Sequence, residues 1–335
     1  MTAPRARRVR GALIGVVAAV TVVTVVTVVG PARPAAADPA RPGNVRSVVT
    51  SIAPPAPLTA RVVGGDSFLQ VAVQPGHELV VADYDGVAYL RFAPDGTVFE
   101  NRNSKATYQN RSRSGTTAFP ADLDPQAPPD WRRVAGGGTY AWHDHRVHWM
   151  SPIRAPEQEW TVAVQVDGQP VVLAGHFGPV DAPAAWPWWL AVLASAGLAG
   201  LAGRRGARMG AVAALIAAGV AAPVVIGLTR LPGATWTLAA LVLAAAAAAV
   251  AAAVRTGPVG VASVGAAGVA LGHWGLRRAD VFGHAVLVTS LPAWMDRAAV
   301  AAAIGTGVGL LGGVAWILTR PVPTGPTDQS QAVGP

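Results

Sequence analysis

The feature that most constrains this chain is a change of solvent preference near its middle. From Trp186 onward charged residues are sparse and clustered, and apolar stretches run over 186–203, 209–228, 234–254, 257–276 and 298–318. Most approach the roughly 20 residues with which a helix crosses a hydrocarbon core. They predict a five-helix transmembrane bundle over 186–318, with the lipid bilayer as its first partner. "WPWW" at 186–189 is an aromatic anchor of the kind that sits at a membrane interface. Gly305, Gly309 and Gly313 repeat every four residues on the last stretch, which predicts close helix packing. At 52% hydrophobic and 13% charged, the 335 residues are too apolar for an ordinary soluble protein.

The first half reads differently. Arg5, Arg7, Arg8 and Arg10 precede a long apolar run, and Ala35 and Ala37 supply small residues at a cleavage position. Residues 1–37 therefore form a signal peptide, cleaved after Ala37 or retained as an anchor. Either outcome predicts a multi-pass protein of the plasma membrane whose N-terminal domain is extracytoplasmic. Residues 38–57, rich in Pro, Ala and Arg, read as a linker. Over 58–182, segments such as "FLQVAVQ", "VAYLRF" and "EWTVAVQV" alternate with "GGDS", "PDG" and "DG" turns. That pattern predicts an antiparallel β-sandwich or barrel. Residues 319–335 read as a disordered cytoplasmic tail. The fold class is thus α+β, a two-domain chain with its polar and apolar halves in sequence.

The net charge of +8 does not imply a nucleic-acid partner. Lys105 is the sole lysine, and several arginines stand at the N-terminus or between apolar runs, where charge sets membrane topology. With no cysteine, disulfides, thiolate metal sites and cysteine nucleophiles are excluded. No nucleophile elbow, zinc-protease helix, P-loop or dinucleotide fingerprint occurs, so an enzyme is not expected.

Polar chemistry concentrates in "GGTYAWHDHRVHWM", residues 137–150. Strand alternation puts Tyr140, Trp142, Asp144 and Arg146 on one face and His143 and His145 on the other. Two imidazoles at i and i+2 can converge on one point, and His148 and Met150 follow where the chain could fold back. Imidazole with thioether suits copper, and imidazole with carboxylate suits zinc. Asp144 is expected to pair with Arg146. His77 and His176 in the β-domain, and His273 and His284 beside the fourth and fifth apolar stretches, are further candidates. The connection holding His284 has too short an apolar core to cross a bilayer, which predicts an interfacial or re-entrant segment.

"GTYAWHDH" resembles the G-T-x-x-x-H-x-H segment of multicopper oxidases and related cupredoxin-like domains. Gly138, Thr139, Tyr140, Trp142, His143 and His145 carry the likeness over about eight residues. It implies a cupredoxin- or immunoglobulin-like sandwich with His143 and His145 as copper ligands. No second His-x-His pair and no cysteine occur, so a trinuclear cluster and a blue-copper centre are both excluded. The layout of signal peptide, β-domain and several spans also resembles uncharacterised membrane proteins of high-GC bacteria. Two expectations follow: a membrane-anchored copper-handling protein, or a cell-envelope scaffold whose β-domain binds a partner protein and whose histidines are structural.

Overall fold

The computed structural model describes residues 38–116, 118–151, 153, 156–229, 236–255, 257–289 and 291–320. The basic apolar run at 1–37, Arg230 and the tail beyond Arg320 lie outside the described residues. Ten strands form the first half: β1 (Val45–Ala53), β2 (Leu58–Val63), β3 (Phe68–Val73), β4 (Leu79–Ala82), β5 (Ala88–Phe92), β6 (Val98–Asn101), β7 (Trp131–Ala135), β8 (Thr139–Trp142), β9 (Gln158–Val166) and β10 (Gln169–Pro179). They make an antiparallel seven-stranded sheet, in the order β1-β10-β9-β4-β5-β6-β7, and a three-stranded sheet β2-β3-β8.

The alternation in "EWTVAVQV" is realised. Trp160, Val162, Val164 and Val166 point into the core while their neighbours face out. Opposite them on β10, Val171, Leu173 and Phe177 do the same, and Asp167–Gly168 turns the hairpin with positive φ at both positions (50° and 76°). That backbone favours Gly and Asn/Asp and matches the twist of the flanking strands. Leu69 and Val71 from the small sheet join Leu79, Leu90, Phe92 and Leu173 from the large one in a single apolar core. The β-sandwich expected from the turn spacing is present.

Two strands differ from the sequence reading. Val45–Ala53, inside the proline-rich stretch that reads as a linker, is β1 and pairs with β10 along the edge of the large sheet. Trp131–Ala135, after the three prolines of 121–130, is β7 on the opposite edge. Proline confines a segment to a sheet edge or its flanks without preventing a strand there.

Among the described residues five helices follow, α2 (Trp186–Arg204), α3 (Ala207–Thr229), α4 (Trp236–Val254), α5 (Gly257–Leu276) and α6 (Ala293–Thr319), after a short helix α1 (Ala106–Gln109) in the β-domain. Each of the five is long and apolar enough to cross a membrane. Their packing is set by glycine. A Cβ at Gly305 would lie 2.4 Å from the Val192 carbonyl oxygen, and one at Gly309 would lie 2.2 Å from that of Ala196. On another side of α6, a Cβ at Gly307 would lie 2.7 Å from the Cα of Gly272 on α5. Backbones approach this closely only where side chains are absent, which suits association inside lipid.

The last helix starts earlier than its apolar run. Asp296 and Arg297 lie in its first turns, and Asp296 is fully buried with both carboxylate oxygens accepting from Arg278 Nη2, at 2.9 and 2.8 Å. The preceding connection is a 3-10 turn (Ala279–Phe282) and an irregular stretch that folds against the β-domain. Gly43 and Val286 exchange two backbone hydrogen bonds of 3.0 Å, and the Ala285 N–H donates to Asn44 Oδ1 at 2.8 Å. The α5–α6 connection and the start of α2 therefore lie at the end of the bundle beside the β-domain.

Candidate functional site

The histidine segment is not a regular strand. β8 pairs with β3 only as far as Trp142, opposite Leu69. Asp144 turns the chain there: it accepts from Trp142 Nε1 at 3.0 Å and from the Arg146 backbone N–H at 3.1 Å. It also accepts from Arg146 Nε and Nη2 at 2.8 and 2.7 Å, while its own carbonyl accepts from the Val147 N–H. Burial opposes ionisation of this enclosed carboxyl more than any other influence. The Arg146 hydrogen bonds and charge, with Trp142, still hold its pKa below the usual carboxylate range. The expected Asp144–Arg146 pair is present, and its role is to bend the segment.

Because of that bend, His143 and His145 leave the strand separately. The His143 ring stacks on Phe68 with centroids 4.2 Å apart, its Nδ1 2.5 Å from the Ser67 carbonyl and its Nε2 2.9 Å from the Asp38 carbonyl. The His145 ring stacks on Tyr84, and its Nε2 lies 3.1 Å from the Ser112 carbonyl. His148 stands edge-on to both, with centroids 5.2 Å from His145 and 6.2 Å from His143, and its Nε2–H donates to the Arg113 carbonyl at 2.9 Å. The structure thus sets the His148 ring against both His143 and His145 and turns a nitrogen of each ring toward backbone.

Electrostatics follow from enclosure. Burial pulls the His148 pKa down to about 4, helped by the charge of Arg113. Burial also lowers that of His143, against the opposing pull of the Ser67 and Asp38 carbonyls. His148 is therefore neutral at pH 7, with one N–H, and its Nδ1 is buried without a partner. Tyr84 closes the cluster: its hydroxyl donates to Asn110 Oδ1 at 2.6 Å and accepts from the His145 backbone N–H at 3.0 Å. Burial pushes its pKa well up.

The other candidates lie in their own surroundings. His77 Nδ1 bonds Asp167 Oδ2 at 2.7 Å and fastens the β9–β10 turn. His176 faces outward on β10. His273 sits in the last turn of α5, and His284 Nδ1 donates to the Asp280 carbonyl at 2.7 Å. Among the described residues, no three His, Cys, Asp or Glu side chains stand as a ligand set for a metal ion. Both His143 nitrogens face carbonyl oxygens, so that ring as it stands offers no nitrogen to a metal, whereas His148 Nδ1 is buried with no partner.

Met150 is 53% exposed and lines a cavity of about 600 Å³ with Asn44, Asp66, Arg113, Trp149 and Val180. Sequence reasoning missed Asp66 and Arg113. Arg113 Nη2 spans both Asp66 oxygens at 2.8 and 2.7 Å, and Nη1 reaches Ser67 Oγ at 3.2 Å. "GGDS" was legible only as a turn, which it is, with Gly64 and Gly65 at φ 69° and 82°.

The chain is therefore an α+β protein in which a ten-stranded antiparallel domain is carried on five apolar, membrane-length helices. Compared with protein-family models, curated proteins and solved structures, it matches none.

Proposed function

We propose that this protein is a non-enzymatic scaffold of the cell envelope, anchored in the plasma membrane, whose extracytoplasmic β-domain binds a partner protein. The basic N-terminal run and the Ala35/Ala37 pair support the sidedness. One observation carries the assignment over metal handling: both ring nitrogens of His143 face carbonyls, those of Ser67 and Asp38, while His145 and His148 bind the adjacent carbonyls of Ser112 and Arg113. Such bonds pin loops together, and a buried polar group left without its partner costs about 1–3 kcal/mol. The histidines are struts. The clasp between Gly43 and Val286 supports the same reading, because it holds the β-domain in one position over the bundle.

Copper handling through His143, His145, His148 and Met150 is the second reading, favoured by the unpartnered, buried Nδ1 of His148. It requires His143 to release one of its two carbonyls, while His145 and His148 keep Nε2–H on theirs and offer Nδ1. Titration of the full chain in detergent with Cu(II) and Zn(II) separates the two. The scaffold reading expects no saturable site that depends on these rings. One tightly bound Cu(II) per chain, lost in His143→Ala and in His145→Ala, would overturn it.

A further inference from the structure

We propose that the cavity at the end of the β-domain that leads into the first membrane helix binds a zwitterionic phospholipid drawn from the leaflet beside it. Four observations converge on that ligand.

The first is place. The cavity wall includes Val180 and Ala182, and α2 begins at Trp186. Four residues of extended chain span at most about 14 Å. Trp186 and Trp189 at the head of α2 are 66% and 45% exposed, as aromatic residues at a bilayer surface are. The Val180 N–H donates to the Asn44 carbonyl at 2.8 Å, and Asn44 also holds the α5–α6 connection. The mouth of the cavity is thereby fixed near the headgroup layer.

The second is the rim. Met150 and Ile153 are exposed apolar side chains, Ile153 by 70%. Trp149 Nε1 donates to the Ile153 carbonyl at 2.9 Å, and Ser151 Oγ accepts from the Ile153 N–H. Apolar groups exposed at the membrane end of a polar domain fit an acyl chain.

The third is the floor. Asp66 is buried and Arg113 is one-third exposed, and together they are net neutral. The bonds to Asp66 and Ser67 engage three of the guanidinium's five donors, leaving two for a phosphate oxygen. A purely anionic headgroup would meet the Asp66 carboxylate with no charge to set against it. A headgroup carrying both phosphate and ammonium complements the pair. The fourth is size. About 600 Å³ lies within the range of roughly 300–1,000 Å³ typical of small-molecule sites. It admits a headgroup, a glycerol and the start of a chain whose remainder stays in the bilayer.

The test uses the full chain, extracted with its lipids and washed in detergent, with bound phospholipid counted by mass spectrometry. About one phosphatidylethanolamine per chain is expected to survive washing. Ala182→Trp, which blocks the mouth at an exposed position, should reduce retention at least fivefold, as should Met150→Ser combined with Ile153→Ser. Leu198→Trp, on the exposed face of α2, should leave it unchanged. In re-addition, phosphatidylethanolamine should bind several-fold better than phosphatidylglycerol, and inorganic phosphate should not compete. Lipid-free wild-type protein, equal retention in Ala182→Trp with an unaltered melting temperature, or equal binding of the two phospholipids would each overturn the proposal. So would a photo-crosslinker at Ile153 that captures protein and no lipid. The outcome of the copper titration does not bear on it, so it stands or falls apart from the scaffold reading.

Discussion

Acidification should unfold the β-domain through His148. In the folded chain its pKa is about 4, against 6.5 for a free imidazole, because the ring is enclosed beside Arg113. Between those two values the unfolded chain binds a proton that the folded chain refuses. Stability therefore rises with pH across the window, is complete above 6.5, and is lost as pH falls toward 4. At about 1.4 kcal/mol per decade of pKa difference the loss approaches 3 kcal/mol. His143 shifts in the same direction and adds to the loss. Asp144 also destabilises on acidification, but only as pH falls through a folded pKa held below 3.8, under this window. The assay is urea unfolding of the full chain in detergent, followed by the β-sheet far-UV signal from pH 7.5 to 4. His148→Phe should be less stable at pH 7.5, since the Arg113 carbonyl loses its donor, and should show a much shallower decline. A wild-type midpoint that does not move between pH 7 and 4.5, or a decline undiminished in His148→Phe, would refute the reasoning.

The bundle supplies two further tests. Gly309→Val places side-chain atoms where the Ala196 carbonyl already lies 2.2 Å from the Cβ position, so α2 and α6 must separate. Its thermal midpoint in detergent should fall by several degrees, whereas Gly312→Ala, with nothing within 4 Å, should leave it in place. Arg278→Met alone strands the buried Asp296 carboxylate and should cost about 3–5 kcal/mol, most of which Arg278→Met with Asp296→Leu should restore. A double variant no more stable than the single one would show that the pair is not a closed unit.

What could be read from the sequence follows from the range of the forces involved. The five helices were legible because crossing a bilayer is a matter of local length and apolarity. The start of α6 was not, because Asp296 and Arg297 break the apolar run, and only the buried pairing with Arg278 lets Asp296 lie inside the bundle. The β9–β10 hairpin was legible from alternation and "DG", while β1 was hidden by the prolines around it. The histidine cluster was half legible. Three imidazoles within six residues announced a site, but alternation assumed a strand that the Asp144 carboxylate ends at Trp142. The carbonyls that receive the rings lie 33 to 105 residues away in sequence, and no local pattern points to them.

Those carbonyls also explain why the cluster stands where it does. His143 holds Ser67 and Asp38, His145 holds Ser112, and His148 holds Arg113. The same residues frame the cavity floor: Asp66 precedes Ser67, and Asp38 Oδ2 accepts from the Arg113 backbone N–H at 3.2 Å. Three imidazoles thus fix two loops, and the loops set the Asp66–Arg113 pair against the cavity. Protonating His148 would bring a cation beside Arg113 inside a buried cluster, so ligand retention in the cavity should weaken over the same pH window as folding stability. Because no histidine lines the cavity, their substitution should change lipid retention only by releasing Arg113. His148→Phe should therefore accelerate hydrogen exchange at the Arg113 amide and lower retention together. Retention that falls while the Arg113 amide stays protected would mean that the struts and the cavity floor are independent.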